Sequence, residues 1–236
     1  MPREQMTDKQ VSAYLQMDLR EVQKLASRGI IPCRRSGSRM VFVKGEVDHW
    51  VEQRLHEMDR RRLRDVARGV SAHHGFDHEA LLIAPMIPIG GLAVPLHART
   101  RDSVLRGLVA LAGDLAYRSD HVLDETRARE DICSTALIPG VALPHPRHPL
   151  EYDIAESFVT AGVTHSGVPF GAVDGSLTRL YFLICCKDER THLHVLARLS
   201  AMLHEGRFVQ DLLDCPDSDT LRAKLLQREK LVLTGG

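Results

Sequence analysis

Short amphipathic runs separated by turn residues fill the first 57 residues, and their order predicts a small helical domain with one hairpin. Thr7 or Asp8 can cap a first helix, and Asp18 can cap a second that extends from Leu19 to about Arg28. Two β-prone runs then flank a Ser-Gly-Ser turn, and a further helix follows them. The pattern predicts a winged helix-turn-helix domain, mainly α with a β-hairpin, over residues 1–57.

The second predicted helix and the hairpin share a basic surface. Apolar Val22, Leu25 and Ala26 fall on one side of the helix, and basic residues lie roughly opposite. The candidate DNA-contacting residues are Arg20, Lys24 and Arg28 on the helix and Arg34, Arg35 and Arg39 in the hairpin. The chain holds 31 Lys+Arg and 31 Asp+Glu, yet residues 1–68 hold 15 and 10 of these. This asymmetry favours DNA as a partner, and a protein-interaction module with a solvated basic face is the alternative.

Residues 58–82 are predicted to form a helix that passes into a linker. The helix carries a weak apolar stripe, formed by Leu55, Met58, Leu63, Val66 and Val70. The stripe is compatible with a homodimer contact, and a solvated connector is the favoured interpretation. Three histidines follow closely, at His73, His74 and His78. They lack cysteine or dense carboxylate neighbours, so we interpret them as surface residues rather than metal ligands.

Residues 83–232 show the mixture of apolar helices and buried strands that is typical of an α/β domain. Thr100 can cap a helix, and two apolar runs, 154–163 and 177–186, predict buried strands. We therefore expect a mixed sheet flanked by helices. The five scattered cysteines include no CxxC pair, so they are predicted to be small core residues, with Cys185 and Cys186 on opposite faces of a strand.

Composition removes several classes of function. Aromatic residues make up 5% of the chain, too few for a base-stacking RNA platform. No apolar run reaches the roughly 18 residues that a membrane span needs, and the N-terminus lacks a signal-peptide core. We expect a cytoplasmic protein that does not insert into a membrane and needs no metal or other cofactor.

Three separate segments carry groups suited to phosphoryl transfer. The first contains Arg129 and Thr135, the second ends in Leu-Pro-His at His145 and the third begins a helix at His192. Imidazole is neutral near pH 7 and is nucleophilic, and the prolines on both sides of His145 restrict the loop. A transferring phosphoryl group spreads negative charge over three oxygens, which guanidinium, imidazole and hydroxyl groups can stabilise.

These motifs, in this order and spacing, resemble the enzyme IIA domain of the fructose/mannitol type of the bacterial phosphotransferase system, together with its nitrogen-regulatory relatives. The resemblance covers about residues 83–230, and residues 7–51 resemble excisionase/MerR-type DNA-binding domains. It implies that His145 is the phosphorylated histidine, that His192 is the second active-site histidine and that Arg129 supports transfer. Pro146 stands where many members of the family have glycine.

The resemblance implies a cytoplasmic DNA-binding regulator that an HPr-like protein phosphorylates on His145, a phosphohistidine carrier rather than a turnover enzyme. One alternative is a phosphocarrier that passes the group to a sugar-specific IIB protein and uses its N-terminal domain for docking. A second alternative is a partner-binding protein with a degenerate IIA scaffold, which the joint presence of Arg129, His145 and His192 disfavours.

Overall fold

The computed structural model describes residues 4–37, 39–75, 77 and 80–234, and its N-terminal part is a winged helix-turn-helix. We call this part the head. Its elements are β1 (Gln5–Thr7), α1 (Asp8–Leu15), α2 (Leu19–Ser27), β2 (Arg34–Ser36), β3 (Arg39–Val43) and α3 (Lys44–Glu52). Thr7 caps α1 in a capping box with Gln10, and Asp18 caps α2. Of the two candidates for the first cap, Thr7 is therefore the one used, and the cap at Asp18 is confirmed.

The hairpin of the head belongs to a three-stranded antiparallel sheet with the order β1-β3-β2. The sequence predicted β2 and β3 but not β1, which is three residues long. The strand exists because Gln5, Met6 and Thr7 pair with Val43, Phe42 and Val41, and Met6 is buried. Such a short strand is stabilised by its partner strand rather than by its own sequence pattern.

The predicted connector is a packed helix, α4 (Arg60–His74). Its apolar residues Leu63, Val66 and Val70 are all at most 1% exposed, because α4 packs against α1 and α8 (Glu189–Leu203). The expectation of a solvated connector is therefore wrong, and the buried stripe faces this chain's own helices.

The histidines at the end of α4 lie close to the head. The rings of His73 and His74 make edge contacts with Tyr14, with centroids 5.0 and 5.9 Å apart. Burial, with Lys44 and His73 nearby, lowers the pKa of His74 to about 4. The expectation of surface residues thus fits His73, which is exposed, better than the partly buried His74, and His78 lies outside the described residues.

The remaining residues form the body, an α/β domain. Its other elements are α5 (Ile83–Met86), β4 (Leu92–Ala93), α6 (Arg101–Ala110), α7 (Ser119–Ile132), β5 (Val141–Ala142), β6 (Phe158–Val168), β7 (Thr178–Cys185), α9 (Gly206–Leu213) and α10 (Ser218–Leu233). The sheet order is β4-β6-β7-β5, with an antiparallel central pair and parallel outer pairs. The predicted mixed sheet flanked by helices is confirmed. Among the described residues, no helix is long and apolar enough to span a bilayer.

The sheet separates two apolar cores. One face packs with α8 and the head in a single continuous core, and the other packs with α6 and α7. Cys186 belongs to the first core and Cys185 to the second, as the alternation predicted. Cys133 is exposed, contrary to the expectation that all five cysteines are core residues, because it follows the last turn of α7.

Candidate functional site

His145 lies in the loop after β5, where the backbone is tied to the sheet. The amide of Ile184 on β7 donates to the Pro144 carbonyl over 3.0 Å. The His145 side chain is buried, with 6% of the residue exposed, and its Nδ1 lies 2.9 Å from the Leu143 carbonyl oxygen. A carbonyl oxygen only accepts, so this contact assigns the proton to Nδ1 and leaves the lone pair on Nε2.

The His192 ring lies beside the His145 ring, as the sequence motifs predicted. The ring centroids are 4.8 Å apart and the planes are inclined by 51°. Burial lowers the pKa of His145 to about 3, and the charges of His192 and Arg129 act in the same direction while Glu52 opposes them. The imidazole of His145 is therefore neutral near pH 7, as a nucleophile must be.

Glu52, the last residue of α3, brings a carboxylate from the head to this histidine pair. Its Oε1 lies 3.3 Å from His192 Nε2, and its Oε2 lies 3.5 Å from His49 Nδ1. Burial alone would raise the pKa of Glu52, but hydrogen bonds and charge from the histidines hold it well below its usual range. Sequence reasoning missed Glu52 because no local motif links the end of a head helix to a loop of the body.

Arg129 and Thr135 lie where the motifs placed them, on the wall of the same small cavity as His145. The cavity has a volume of about 40 Å³, and Glu52, Leu55, Leu137, Ile138, Leu143, Leu196 and Ser200 complete its lining. Arg129 is 8% exposed, and its Nη1 donates to the Cys133 carbonyl over 3.0 Å. This bond holds the guanidinium against the end of α7.

Glu130, which the sequence analysis did not single out as a site residue, holds Thr135 in place. Its carboxylate accepts from the Thr135 amide over 2.8 Å and from the Thr135 hydroxyl over 2.7 Å. Burial raises the pKa of Glu130, and these two bonds oppose the rise. Because a hydroxyl has one proton, Thr135 must turn away from Glu130 before it can donate to a phosphoryl oxygen.

Three side chains of this site also form a set of the kind that binds metal ions. One ligand atom each from Glu52, His145 and His192 lies within 4.8 Å of the other two. Two imidazoles and a carboxylate are a known Zn²⁺ set. No metal site was expected from the sequence, in which these three residues lie on separate segments. In the arrangement described here, the Glu52 carboxylate is paired with His192, and the guanidinium of Arg129 places a further positive charge at the cavity.

The six candidate DNA-contacting residues of the head are all exposed, on α2, at its C-cap and on the hairpin. Arg34 forms an ion pair with Glu46, with 2.9 Å between Nη2 and Oε1. No ion pair involves the other five within the ranges that the structure describes. The surface that the helix-turn-helix would present to DNA is therefore open, whereas His145 is covered.

Comparison with known proteins assigns the head and the body to two separate families. Residues 91–228 match the family "Phosphoenolpyruvate-dependent sugar phosphotransferase system, EIIA 2", and residues 6–55 match "Helix-turn-helix domain". The fold and site thus define an EIIA-type domain preceded by a helix-turn-helix. The chain belongs to the EIIA type 2 family of the phosphotransferase system. Both resemblances seen in the sequence are confirmed.

Individual relatives match the body of the chain. The chain is 30% identical over 140 residues to the fructose-specific EIIABC component of Bacillus subtilis, covering 57% of the chain but 21% of that relative. It is 26% identical over 124 residues to the mannitol-specific enzyme IIA component of Geobacillus stearothermophilus, covering 51% of the chain and 82% of the relative. The nitrogen regulatory protein IIA-Ntr of Neisseria meningitidis has the same fold, with a TM-score of 0.56 and 24% identity over 61% of the chain and 99% of its own.

Proposed function

We propose that the chain is a cytoplasmic DNA-binding regulator whose EIIA domain is phosphorylated on His145 by an HPr-like phosphocarrier. The observation that carries the proposal is a neutral, buried imidazole whose Nδ1 is fixed on the Leu143 carbonyl. Its Nε2 is free for bonding beside His192, and Arg129 lines the same cavity.

The transfer step needs no proton movement within the site. The Nε2 lone pair of His145 attacks phosphorus, and the bond between phosphorus and the donor's nitrogen breaks. The electron pair of that bond returns to the donor imidazole. The proton stays on Nδ1, where the Leu143 carbonyl stabilises the positive charge that the ring gains. Arg129 and His192 are the groups placed to stabilise the phosphoryl oxygens in the transition state.

The head supports the regulatory half of the proposal. Arg20 and Lys24 lie exposed on α2, and Arg28 lies exposed at its C-cap. A helix-turn-helix places this helix in the major groove. The exposed wing residues, Arg34, Arg35 and Arg39, are suited to neighbouring phosphates. A single head offers few base contacts, so we expect a homodimer to read two half-sites.

Phosphorylation of the purified full-length chain tests the proposal. The chain is incubated with phosphoenolpyruvate, enzyme I and HPr, and phosphopeptides are mapped by mass spectrometry under non-acidic conditions. We expect one phosphorylated histidine, His145, and complete loss of incorporation in His145→Ala. The matched control is His148→Ala, an exposed histidine of the same loop. Normal incorporation into His145→Ala would refute the assignment.

A second candidate, a carrier that passes the phosphoryl group to a IIB protein, is favoured by membership of the EIIA family. One structure of the same fold is a complex of the Escherichia coli mannitol IIA enzyme with its phosphorylated IIB, with a TM-score of 0.52 and 18% identity. Phosphorylated chain is mixed with fructose- or mannitol-type IIB protein, and transfer to IIB is followed. Rapid transfer without any binding of the head to DNA would favour the carrier.

A further inference from the structure

The end of α3 and the turn that follows it cover the mouth of the His145 site. This lid consists of the last turn of α3, ending at Glu52, and the 3-10 turn Leu55–Glu57. Both parts pack on α8, the helix that carries His192. Glu52 and Leu55 line the cavity together with His145, and Leu55 is 3% exposed.

The position of the Glu52 carboxylate is an anion site. His192 donates to one carboxylate oxygen and His49 approaches the other. Arg129 lines the same cavity and raises its positive charge. A phosphoryl group on His145 would be a larger anion with more charge, and it would seek the same donors within the same few ångströms.

The small cavity also limits the access of a protein phosphodonor to His145. The cavity beside His145 has a volume of about 40 Å³. The histidine of a protein phosphodonor does not fit into that space beside Glu52, and His145 is 6% exposed. Transfer to His145 therefore requires the lid to move away from α8.

We infer that the phosphoacceptor face binds the chain's own head as a partner, with the Glu52 carboxylate standing where the phosphoryl oxygens of phosphorylated His145 would bind. The closed lid and the phosphorylated histidine then exclude one another, a statement that rests on the proposed function. Phosphorylation opens the lid, and the lid slows phosphorylation.

The contacts between α4, the helix that follows the head, and the body are expected to stay in place. Helix α4 packs on α8 through the buried residues Val66 and Val70, and the Ser71 hydroxyl lies 3.0 Å from His194 Nε2. These contacts are apolar packing and one hydrogen bond, and none of them involves Glu52. The DNA-contacting candidates on α2 are already exposed with the lid closed. Phosphorylation therefore changes how α3 sits on the body rather than uncovering the DNA surface.

The first test needs no phosphorylation. Diethyl pyrocarbonate modifies accessible neutral histidines, and its rate at each histidine is followed by mass spectrometry in the full-length chain with EDTA present. We expect His145 to react at least tenfold faster in Glu52→Ala than in the wild type. Glu52→Gln keeps the shape of the side chain and removes its charge, so its rate of modification at His145 should lie between the other two. The control variant is Glu21→Gln, an exposed acid of α2, and the exposed His165 is the internal reference.

The second test uses the phosphorylated chain. The initial rate of phosphorylation by HPr is expected to be at least fivefold higher in Glu52→Ala than in the wild type and unchanged in Glu21→Gln. Hydrogen–deuterium exchange of phosphorylated wild type is expected to show lost protection at the end of α3 and retained protection in α4. Circular dichroism melts establish that each variant is folded.

The outcomes separate the two proposals. Equal reactivity of His145 in wild type, Glu52→Ala and Glu52→Gln overturns the inference, as does phosphorylation that leaves exchange at the end of α3 unchanged. Protection of His145 in a parallel sample without EDTA that is absent in the sample with EDTA also overturns it, in favour of a metal ion held by Glu52, His145 and His192. A further outcome is that Glu52 protects His145 from diethyl pyrocarbonate but HPr never phosphorylates the chain. This outcome supports the lid and refutes the proposed function.

Discussion

The two charged surfaces of this chain are built in opposite ways. The basic surface of the head comes from residues close together in sequence, and it is exposed. The anion site around His145 combines a loop of the body, helix α8 and the last residue of α3, with His145 buried and Glu52 and His192 partly buried. A surface for a long polyanion can remain open to solvent, whereas a site for one transferring group must exclude water to strengthen its electrostatic interactions.

This difference has a consequence for mutation. Substitutions on the basic surface are expected to act on DNA binding alone, because these side chains contact little else. Substitutions near His145 are expected to act across the boundary between head and body, since Glu52 joins the two. The following experiments either separate the two surfaces or show that they are coupled.

The largest expected effect is that of Arg129→Gln on phosphoryl transfer. Loss of one donor of this kind costs about 3 kcal/mol of transition-state stabilisation, or about a hundredfold in rate. The rate of phosphorylation by HPr is measured by rapid quench, with Arg127→Gln as the control on the same helix, where the arginine pairs with Asp102. A normal rate in Arg129→Gln would remove Arg129 from the site, and altered DNA binding would show that the two surfaces are coupled.

The second largest expected effect is a loss of folding stability in acid, caused by the burial of His145. The pKa of His145 is about 3 in the folded chain and ordinarily about 6.5, so between these values the unfolded chain binds a proton that the folded chain does not. The free energy of unfolding should therefore fall as pH falls below 6.5, by about 1.4 kcal/mol per pH unit, and should not change through this group above it.

Urea unfolding at pH 7, 6 and 5 measures this dependence. His74, with a pKa near 4, contributes in the same direction, so His145→Gln is needed to isolate the share of His145. Glu52 contributes with the same sign below its ordinary pKa of 4.5. An unchanged slope in His145→Gln would show that the His145 ring is not held neutral by burial.

The smallest effect concerns single arginines of the wing. Arg35→Gln should lower the slope of log affinity against log salt concentration by about one, the contribution of one phosphate contact. Arg34→Gln should lower it by less, because Arg34 is already paired with Glu46. Electrophoretic mobility shifts at two or more salt concentrations measure both slopes. Equal slopes in wild type and both variants would leave the head as a protein-docking module.

Local sequence signals predicted much of the fold. The caps at Thr7, Asp18 and Thr100 were predictable because a cap depends on a few neighbouring residues. The three segments that carry Arg129, His145 and His192 were recognised from short motifs, and the structure brings these segments to one site. The mixed sheet followed from buried apolar runs, although β6 begins at Phe158 rather than at Ile154.

The features that escaped prediction all depend on tertiary contacts. The apolar stripe of α4 contains few hydrophobic residues, so its sequence gives only a weak signal of burial. The stripe is buried because α4 packs against both α1 and α8. Gly69 shows how close this packing is, since a Cβ there would meet the backbone of Tyr14. Glu52 carries no signal in its own segment, because its partner, His192, lies in the other part of the chain.

The central claim is that neutral His145 accepts the phosphoryl group through Nε2, because Nδ1 is engaged by the Leu143 carbonyl. Nuclear magnetic resonance of the full-length chain, labelled with ¹⁵N at histidine and phosphorylated through HPr, tests this most directly. We predict scalar coupling between phosphorus and Nε2 of His145, with Nδ1 still protonated. Coupling of phosphorus to Nδ1 of His145, or to a nitrogen of another histidine, would contradict the account.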